Sequence, residues 1–357
     1  MGRDARIALG MTAALICGLS TTASSAGPYP PLPYSTPQEA VTFGHGCDCL
    51  PLCESGCDQV FCDPAPRFTA RVKFLYMRRD ENSDPPILRN TATNQSALKG
   101  NDFDFGFDPG VDASLIAHLG GGNAIEGRFL WIDDWEATVF TPNPTPGELQ
   151  LTSNPFSTGG FVDDFYSNYA TKFQTAEVNY RQDCACHPVT MLIGFRWAEI
   201  DEDLQLNSLD ATVPTFVDFD TRNDLFGGQI GLDAVLIDWG NFGLDGFFKT
   251  GIFANSSQGN ARVQVGPDIL GTASDRRVEP AILAEAGLEG VVWLTDRMKI
   301  RLGYQVMIAH GLSIAAEQVK TTGNLTPGGT NNVAWMSLDM SRPLFAHGGT
   351  AAFEVVW

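Results

Sequence analysis

The stretch RFTARVKFLYM, residues 67–77, alternates. Phe68, Ala70, Val72, Phe74 and Tyr76 fall on one parity, and Thr69, Arg71 and Lys73 on the other. A helix, with 3.6 residues per turn, would scatter these sets around its circumference; a strand, with a period of two, gathers each on one face. The pattern returns in NAIEGRFLW (123–131), where Ile125, Gly127, Phe129 and Trp131 oppose Glu126 and Arg128. In TMLIGFRWAE (190–199), Met191, Ile193, Phe195 and Trp197 oppose Arg196. In MKIRLGYQVMIA (298–309), Met298, Ile300, Leu302, Tyr304, Val306 and Ile308 oppose Lys299, Arg301 and Gln305.

Weaker versions occur in GVDASLIAHL (110–119), TKFQTAEVNY (171–180), FGGQIGLDAVLI (226–237), FGLDGFFKTGIF (242–253), PAILAEAGLEGVVW (280–293) and TAAFEVVW (350–357). Most of these ten segments run about 8–14 residues, the length a tilted strand needs to cross a hydrocarbon layer. The gaps between them are unequal in a regular way. Long gaps near 78–109, 133–171, 200–222, 255–278 and 311–348 alternate with tight turns at 120–123, 183–188, 239–241 and 295–297. Membrane barrels sort their connections like this, with short turns on the periplasmic rim and longer loops outside. A soluble sandwich has no reason to sort loops by parity. The expected fold is all-β, a closed antiparallel transmembrane β-barrel of about ten strands over residues 67–357. The bounds are eight to twelve, since 137–140 and 333–340 could hide another pair.

Composition agrees with export. MGRDARIALGMTAALICGLSTTASSA carries Arg3 and Arg6, an apolar run from Ile7 to Leu19, and Ser24 and Ala26 ahead of a cleavage point, which makes residues 1–26 a secretory signal peptide. Ile16, before Cys17, is too large for the usual lipid-attachment site. No later window has the apolar length of a membrane helix. The formal net charge is −19, and loss of Arg3, Asp4 and Arg6 with the signal makes it one unit more negative, which argues against nucleic acid as a partner. Residues 27–66 form a Pro- and Cys-rich periplasmic leader without a regular period.

On this picture Phe353, Val355 and Trp357 face lipid and Glu354 the lumen. Trp357 sits in the aromatic girdle, and the terminal strand is the signal read by the outer-membrane assembly machinery. The expected pore-lining set is Arg71, Lys73, Glu126, Arg128, Glu177, Arg196, Asp233, Asp245, Lys249, Glu285, Glu289, Lys299 and Arg301. In a barrel of about ten strands, side chains nearly fill the interior, so such charges brace the wall as ion pairs and restrict passage. If the barrel conducts, Arg71, Arg128 and Arg301 facing Glu285 and Glu289 impose a transverse field on small solutes. Outer-membrane lipids and small solutes are the expected partners; the oligomeric state is open.

Several segments resemble the outer-membrane β-barrel porin-like family of planctomycete-type bacteria, which is related to Legionella-type pore-forming outer-membrane proteins. The resemblance rests on RFTARVKFLYMRRD (67–80), TMLIGFRWAEIDEDL (190–204), DLFGGQIGLDAVL (224–236), GYQVMIAHGL (303–312) and AAFEVVW (351–357). It implies a barrel and a pore role, and no catalytic residues. A basic residue expected near the end of the closing strand is replaced here by Glu354.

Other chemistry is thinly signalled. Cys47, Cys49, Cys53, Cys57 and Cys62 lack the paired spacing of a zinc site, and no acidic run matches a calcium loop, so no metal or cofactor is expected. In an exported protein these cysteines are disulfide candidates. Cys184 and Cys186, in a periplasmic turn, are placed to bond one of the leader cysteines and pin that segment beneath the barrel. An enzyme working at the outer leaflet, protease or lipid-modifying, would draw on Asp133 and Asp134 with His310 as base. Only five histidines exist, and no nucleophile motif surrounds any of them. A secreted soluble β-sandwich or adhesin is the remaining alternative.

Overall fold

The computed structural model describes residues 66–80, 84–143, 149–152, 164–184, 188–209, 214–324 and 334–357. The signal peptide, the leader with its five cysteines, and Cys186 lie outside the described residues.

Ten long strands carry the architecture: β1 (Phe68–Asp80), β4 (Phe107–Gly120), β5 (Asn123–Thr141), β7 (Phe165–Asp183), β8 (Val189–Ser208), β9 (Thr215–Asp238), β10 (Phe242–Val265), β11 (Asp268–Thr295), β12 (Met298–Leu312) and β15 (Arg342–Val356). They close into one antiparallel barrel in the order β1-β15-β12-β11-β10-β9-β8-β7-β5-β4. Each of the ten periodic segments is part of one barrel strand. Between them lie β2 (Pro86–Asn90), β3 (Ser96–Lys99), β6 (Leu149–Leu151), the helix α1 (Ala315–Thr321), β13 (Thr322–Asn324) and β14 (Ala334–Met336). β3, β2 and β6 form a small sheet, and β13 pairs with β14. Among the described residues no helix is long and apolar enough to cross a membrane.

Closure depends on β1 meeting β15. Twelve registered pairs join them, from Thr69 opposite Val356 to Asp80 opposite Phe345. At the rim the Trp357 amide donates to the Phe68 carbonyl at 3.0 Å, and the Phe68 amide returns a bond to the Trp357 carbonyl at 3.0 Å. The two rings lie 5.8 Å apart, and Trp357 is half exposed on the outer wall.

Two excursions read from sequence as long loops, 200–222 and 255–278, are built of strand instead. β8 and β9 continue until only residues 209–214 separate them, and β10 and β11 until only Gly266 and Pro267 do. The cause is an inversion of polarity along each strand. Low on β8, Met191, Ile193 and Phe195 point outward and are exposed, while Arg196 points inward and is buried. Higher up, Asp201, Asp203, Gln205 and Asn207 take the outward positions, and Ile200, Leu204 and Leu206 turn inward at 0% exposure. β9 repeats this, with Ile230 and Leu232 outward below and Asp218, Asp220 and Arg222 outward above. The lower half is therefore a membrane barrel, greasy outside and charged within. The upper half is a water-soluble barrel with a dry core.

Two loops complete that core. Ile87, Leu88 and Leu98, with Phe103 and Phe105, fold in from the first outer loop, and Leu312, Ile314, Ala315, Ala316 and Val319 from the last. Irregular backbone buried this way needs partners, and the wall supplies them. Asn223 brackets Ser313, donating to its carbonyl and accepting from its amide at 2.9 Å each. Asn255 donates to the Gly311 carbonyl at 2.9 Å, and Glu202 accepts from the Ala315 amide at 2.8 Å. Arg79 bridges to Glu202 at 3.0 Å and lies over the rings of Phe105 and Tyr169. On β5, Asp133 and Asp134 form a bulge that lets Ile132 and Trp135 both point inward at 0% exposure.

Hydrogen exchange checks the extended hairpins: peptides covering 255–278 are expected to be protected like the strands below them. Exchange at loop rates would contradict the ladder between β10 and β11. A second test uses Asp218, above the lipid belt. Burial, then Asp203 and Asp220, push its carboxyl up to about 6 from 3.8. The folded state thus holds this proton more tightly than the unfolded chain. The resulting stability is complete below pH 3.8 and is lost as pH rises through about 6. Asp218→Asn is therefore expected to stabilise the protein near neutral pH and to change little below pH 3.8, as read by urea unfolding in detergent.

Candidate functional site

The inward positions of the lower half converge on one ion-pair lattice. Its centre is Arg128 of β5. Nε and Nη2 hold both oxygens of Asp112 at 2.9 and 3.0 Å, and Nη1 reaches Glu177 at 2.6 Å and Glu285 at 3.0 Å. Asp112 and Glu177 are on the neighbouring strands β4 and β7. Glu285 is on β11, five places away in a ring of ten, and so on the opposite wall. One guanidinium spans the lumen.

The rest of the lattice extends from this bridge. Arg196 pairs with Glu177 at 3.5 Å and also with Glu285. Lys249 reaches Glu177 at 3.0 Å and Glu126 at 4.0 Å, and Arg181 joins Glu126 to Asp233. Toward β1, Lys73 contacts Glu289 at 2.6 Å and Asp112 at 3.9 Å. At the periplasmic end Glu354 gathers Arg71 at 2.7 Å, Arg301 at 2.9 Å and Lys299 at 3.1 Å. Arg301 continues to Asp245 at 2.6 Å and Glu289 at 3.3 Å. Gln229 ties in from β9, donating to Glu177 at 2.8 Å and to Asn179 at 2.7 Å.

All thirteen lumen residues named from the sequence belong to this lattice. Lys73, Glu126, Arg128, Glu177, Arg196, Lys249, Glu285, Glu289 and Arg301 are buried, and Arg71, Asp233, Asp245 and Lys299 are half-buried. Glu354 joins them, as its inward parity implied. The sequence reading passed over Asp112 and Arg181. Asp112 sits between outward Val111 and Ala113 in a weakly alternating segment, and Arg181 is one residue past the boundary drawn for TKFQTAEVNY. With these included, the lattice holds eight cations and eight carboxylates. It is neutral, so the chain's large negative charge resides elsewhere. The basic and acidic groups named for a transverse field are ion-pair partners, Arg128 with Glu285 and Arg301 with Glu289.

The other candidates are not brought together. His310 is exposed on β12, while Asp133 and Asp134 lie in the β5 bulge, with β15, β1 and β4 between those strands. Cys184, just past β7, is half-buried and forms no disulfide among the described residues. Among the described residues no group of three or more His, Cys, Asp or Glu side chains could hold a metal.

No protein-family model matches the chain, and no curated protein matches it. Solved structures resemble it in architecture. The outer-membrane protease OmpT from Escherichia coli is 8% identical with a TM-score of 0.46, over 82% of this chain and 97% of that one. The translocator domain of the autotransporter NalP from Neisseria meningitidis is 10% identical with a TM-score of 0.38, over 82% and 88%. The Pseudomonas putida toluene transporter TodX is 9% identical with a TM-score of 0.31, over 83% and 90%. These likenesses concern the fold alone. The closed ladder and the apolar belt on its lower wall make the protein an outer-membrane β-barrel.

Removing Arg128 leaves Asp112 with Lys73 alone at 3.9 Å and takes one cation from each of Glu177 and Glu285, which keep Arg196. Arg128→Met is expected to destabilise the barrel by about 3–5 kcal/mol in urea titrations from liposomes, as for other broken buried ion pairs. Adding Glu285→Gln is expected to recover part of that loss. Equal stability of Arg128→Met and the parent would remove the lattice as a structural element.

Proposed function

We propose that the protein is a porin-like outer-membrane barrel that is closed at rest: a structural wall element with at most a narrow passive route for small solutes. The Arg128–Glu285 bridge carries this reading. A side chain that joins opposite walls at 3.0 Å, with Glu177 and Glu285 buried beside it, supports an obstructed lumen at that level. The apolar core above supports it independently, since Phe105, Leu88 and Ile314 fill the outer half with almost no exposure. Passage would require charged partners to separate inside a low-dielectric lumen, which disfavours an open state without a trigger. Affiliation with the porin-like family named above is part of the same proposal.

Planar-bilayer recording of the refolded full chain tests it. The expected record is a baseline without stable open-channel steps, and liposomes carrying the protein should swell in small sugars no faster than empty ones. Steady, long-lived conductance steps in the parent protein would overturn the closed-barrel reading.

A further inference from the structure

Above the lipid belt the outer wall turns polar and then, near its top, aromatic again. Trp197 on β8 and Phe226 on β9 are the last outward rings of the belt. Above them the outward positions of β7, β8 and β9 are polar apart from Ala170, up to Asn168, Gln205 and Asp218. The cross-strand register then places Phe140, Tyr166, Asn207 and Phe216 in one outward row on β5, β7, β8 and β9. Phe140 is 51% exposed and Tyr166 49%, and Phe216 is half-buried. Leu209, just past β8, is exposed as well, and its amide donates to the Asp164 carbonyl beside β7 at 2.9 Å. Ten residues of strand, about 33 Å along an extended chain, separate Phe216 from Phe226, so acyl chains do not account for the upper rings.

The two rows beneath these rings carry unmatched negative charge. Asp203 on β8 stands opposite Asp220 on β9, and Asp218 is the next outward residue of β9 toward the rings. Among the described residues none of the three forms an ion pair, because the nearby cations are turned to other groups. Arg262, opposite Asp218 on β10, donates to Gln264 at 2.7 Å. Arg222, one row lower, is engaged by Glu199, Asp201 and Asp224. Asp220 accepts a hydrogen bond from the Asn260 amide at 2.7 Å, which leaves its charge uncancelled.

We propose that this surface, rings above and carboxylates below, binds a basic peptide segment that carries apolar side chains. Charge complementarity selects this occupant. A lysine or arginine reaching Asp203, Asp218 and Asp220 gives them the partners they lack, whereas an anionic polymer would meet three carboxylates for one arginine. The exposed rings take aromatic or aliphatic anchors, the amphipathic faces on which protein contacts concentrate. Along β9 the step from Phe216 is about 7 Å to Asp218 and about 13 Å to Asp220, within reach of neighbouring residues of one extended peptide. The inference rests on the outer wall alone and not on whether the lumen conducts.

Fluorescence anisotropy tests it with a dye-labelled peptide of alternating lysine and tyrosine, added to the full chain refolded into phosphatidylcholine nanodiscs. The parent is expected to bind this peptide above the level of empty nanodiscs, and to bind one of alternating glutamate and tyrosine no better than they do. Phe140→Ser with Tyr166→Ser is expected to weaken binding at least about tenfold, as for the loss of paired ring anchors. Asp203→Asn with Asp218→Asn and Asp220→Asn leaves the rings in place, so it reads the charge even if the ring variant misfolds. It is expected to weaken binding by about tenfold as well. The peptide favours the ionised form of Asp218, which Asp203 and Asp220 crowd and Arg262 faces. Parental binding is therefore expected to weaken as pH falls through about 6, and the triple variant to lose that dependence. Heat-modifiable gel migration confirms a folded barrel for each variant. Undiminished binding in a folded ring variant would overturn the proposal, as would equal binding of the glutamate peptide or parental binding no better than that of empty nanodiscs. Binding of dextran that the ring variant loses, without binding of the lysine peptide, would also overturn it, by making the rings a sugar platform.

Discussion

Hydrocarbon offers a peptide group no hydrogen-bond partner, and the rest of this structure follows from that. A sheet with free edges could not lie in such a medium, because each unpaired amide or carbonyl costs several kcal/mol there. The β1–β15 ladder removes the last edges and binds segments nearly 300 residues apart into neighbours. Once the ring is closed, alternation leaves the chain two surfaces with opposite demands. Outward residues must be apolar where lipid touches them, and inward residues must fill a tube too narrow to be left empty.

The tube is filled differently at its two levels. At membrane height the fill is charged, and its members satisfy one another: Glu177 receives Arg128, Arg196, Lys249, Asn179 and Gln229. Such a network is poor evidence of net stability, since desolvation of each charge offsets much of the attraction. A register slip would bring like charges together or leave one bare. Above the membrane the fill becomes apolar, and the two inserted loops supply what the strands alone cannot.

Much of this was legible in the residues. The alternation of 67–77, and of nine segments like it, identifies the barrel strands, and their parity identifies inward charges such as Lys73, Arg128 and Glu285 before any coordinates. Parity gives the face of a residue but not its partner. That Arg128 reaches Glu285 depends on how many strands stand between β5 and β11 and on how narrow the ring is. The upper hairpins were hidden for a different reason. In NSSQGNAR (255–262) the outward residues are polar and the inward ones small, a pattern that reads as loop when a greasy outer face is the criterion for a strand. Small inward residues are needed there because Met336 and Leu338 pack against Gly259 from within. The insertion of 312–319 is a tertiary event: nothing local in LSIAAEQV announces that Asn223 and Asn255 wait for its backbone.

The polarity switch along β8 to β11 also constrains how the molecule can be put in place. Aspartates such as Asp201, Asp203 and Asp220, and Arg222 among them, must cross the bilayer before they reach water. Their inward neighbours, Leu204 and Phe219 included, are buried only within the closed barrel. There these apolar faces meet each other and the two loops. The finished upper half then behaves like the head of a rivet: wider in its demands than the passage it came through, and a mechanical stop against withdrawal.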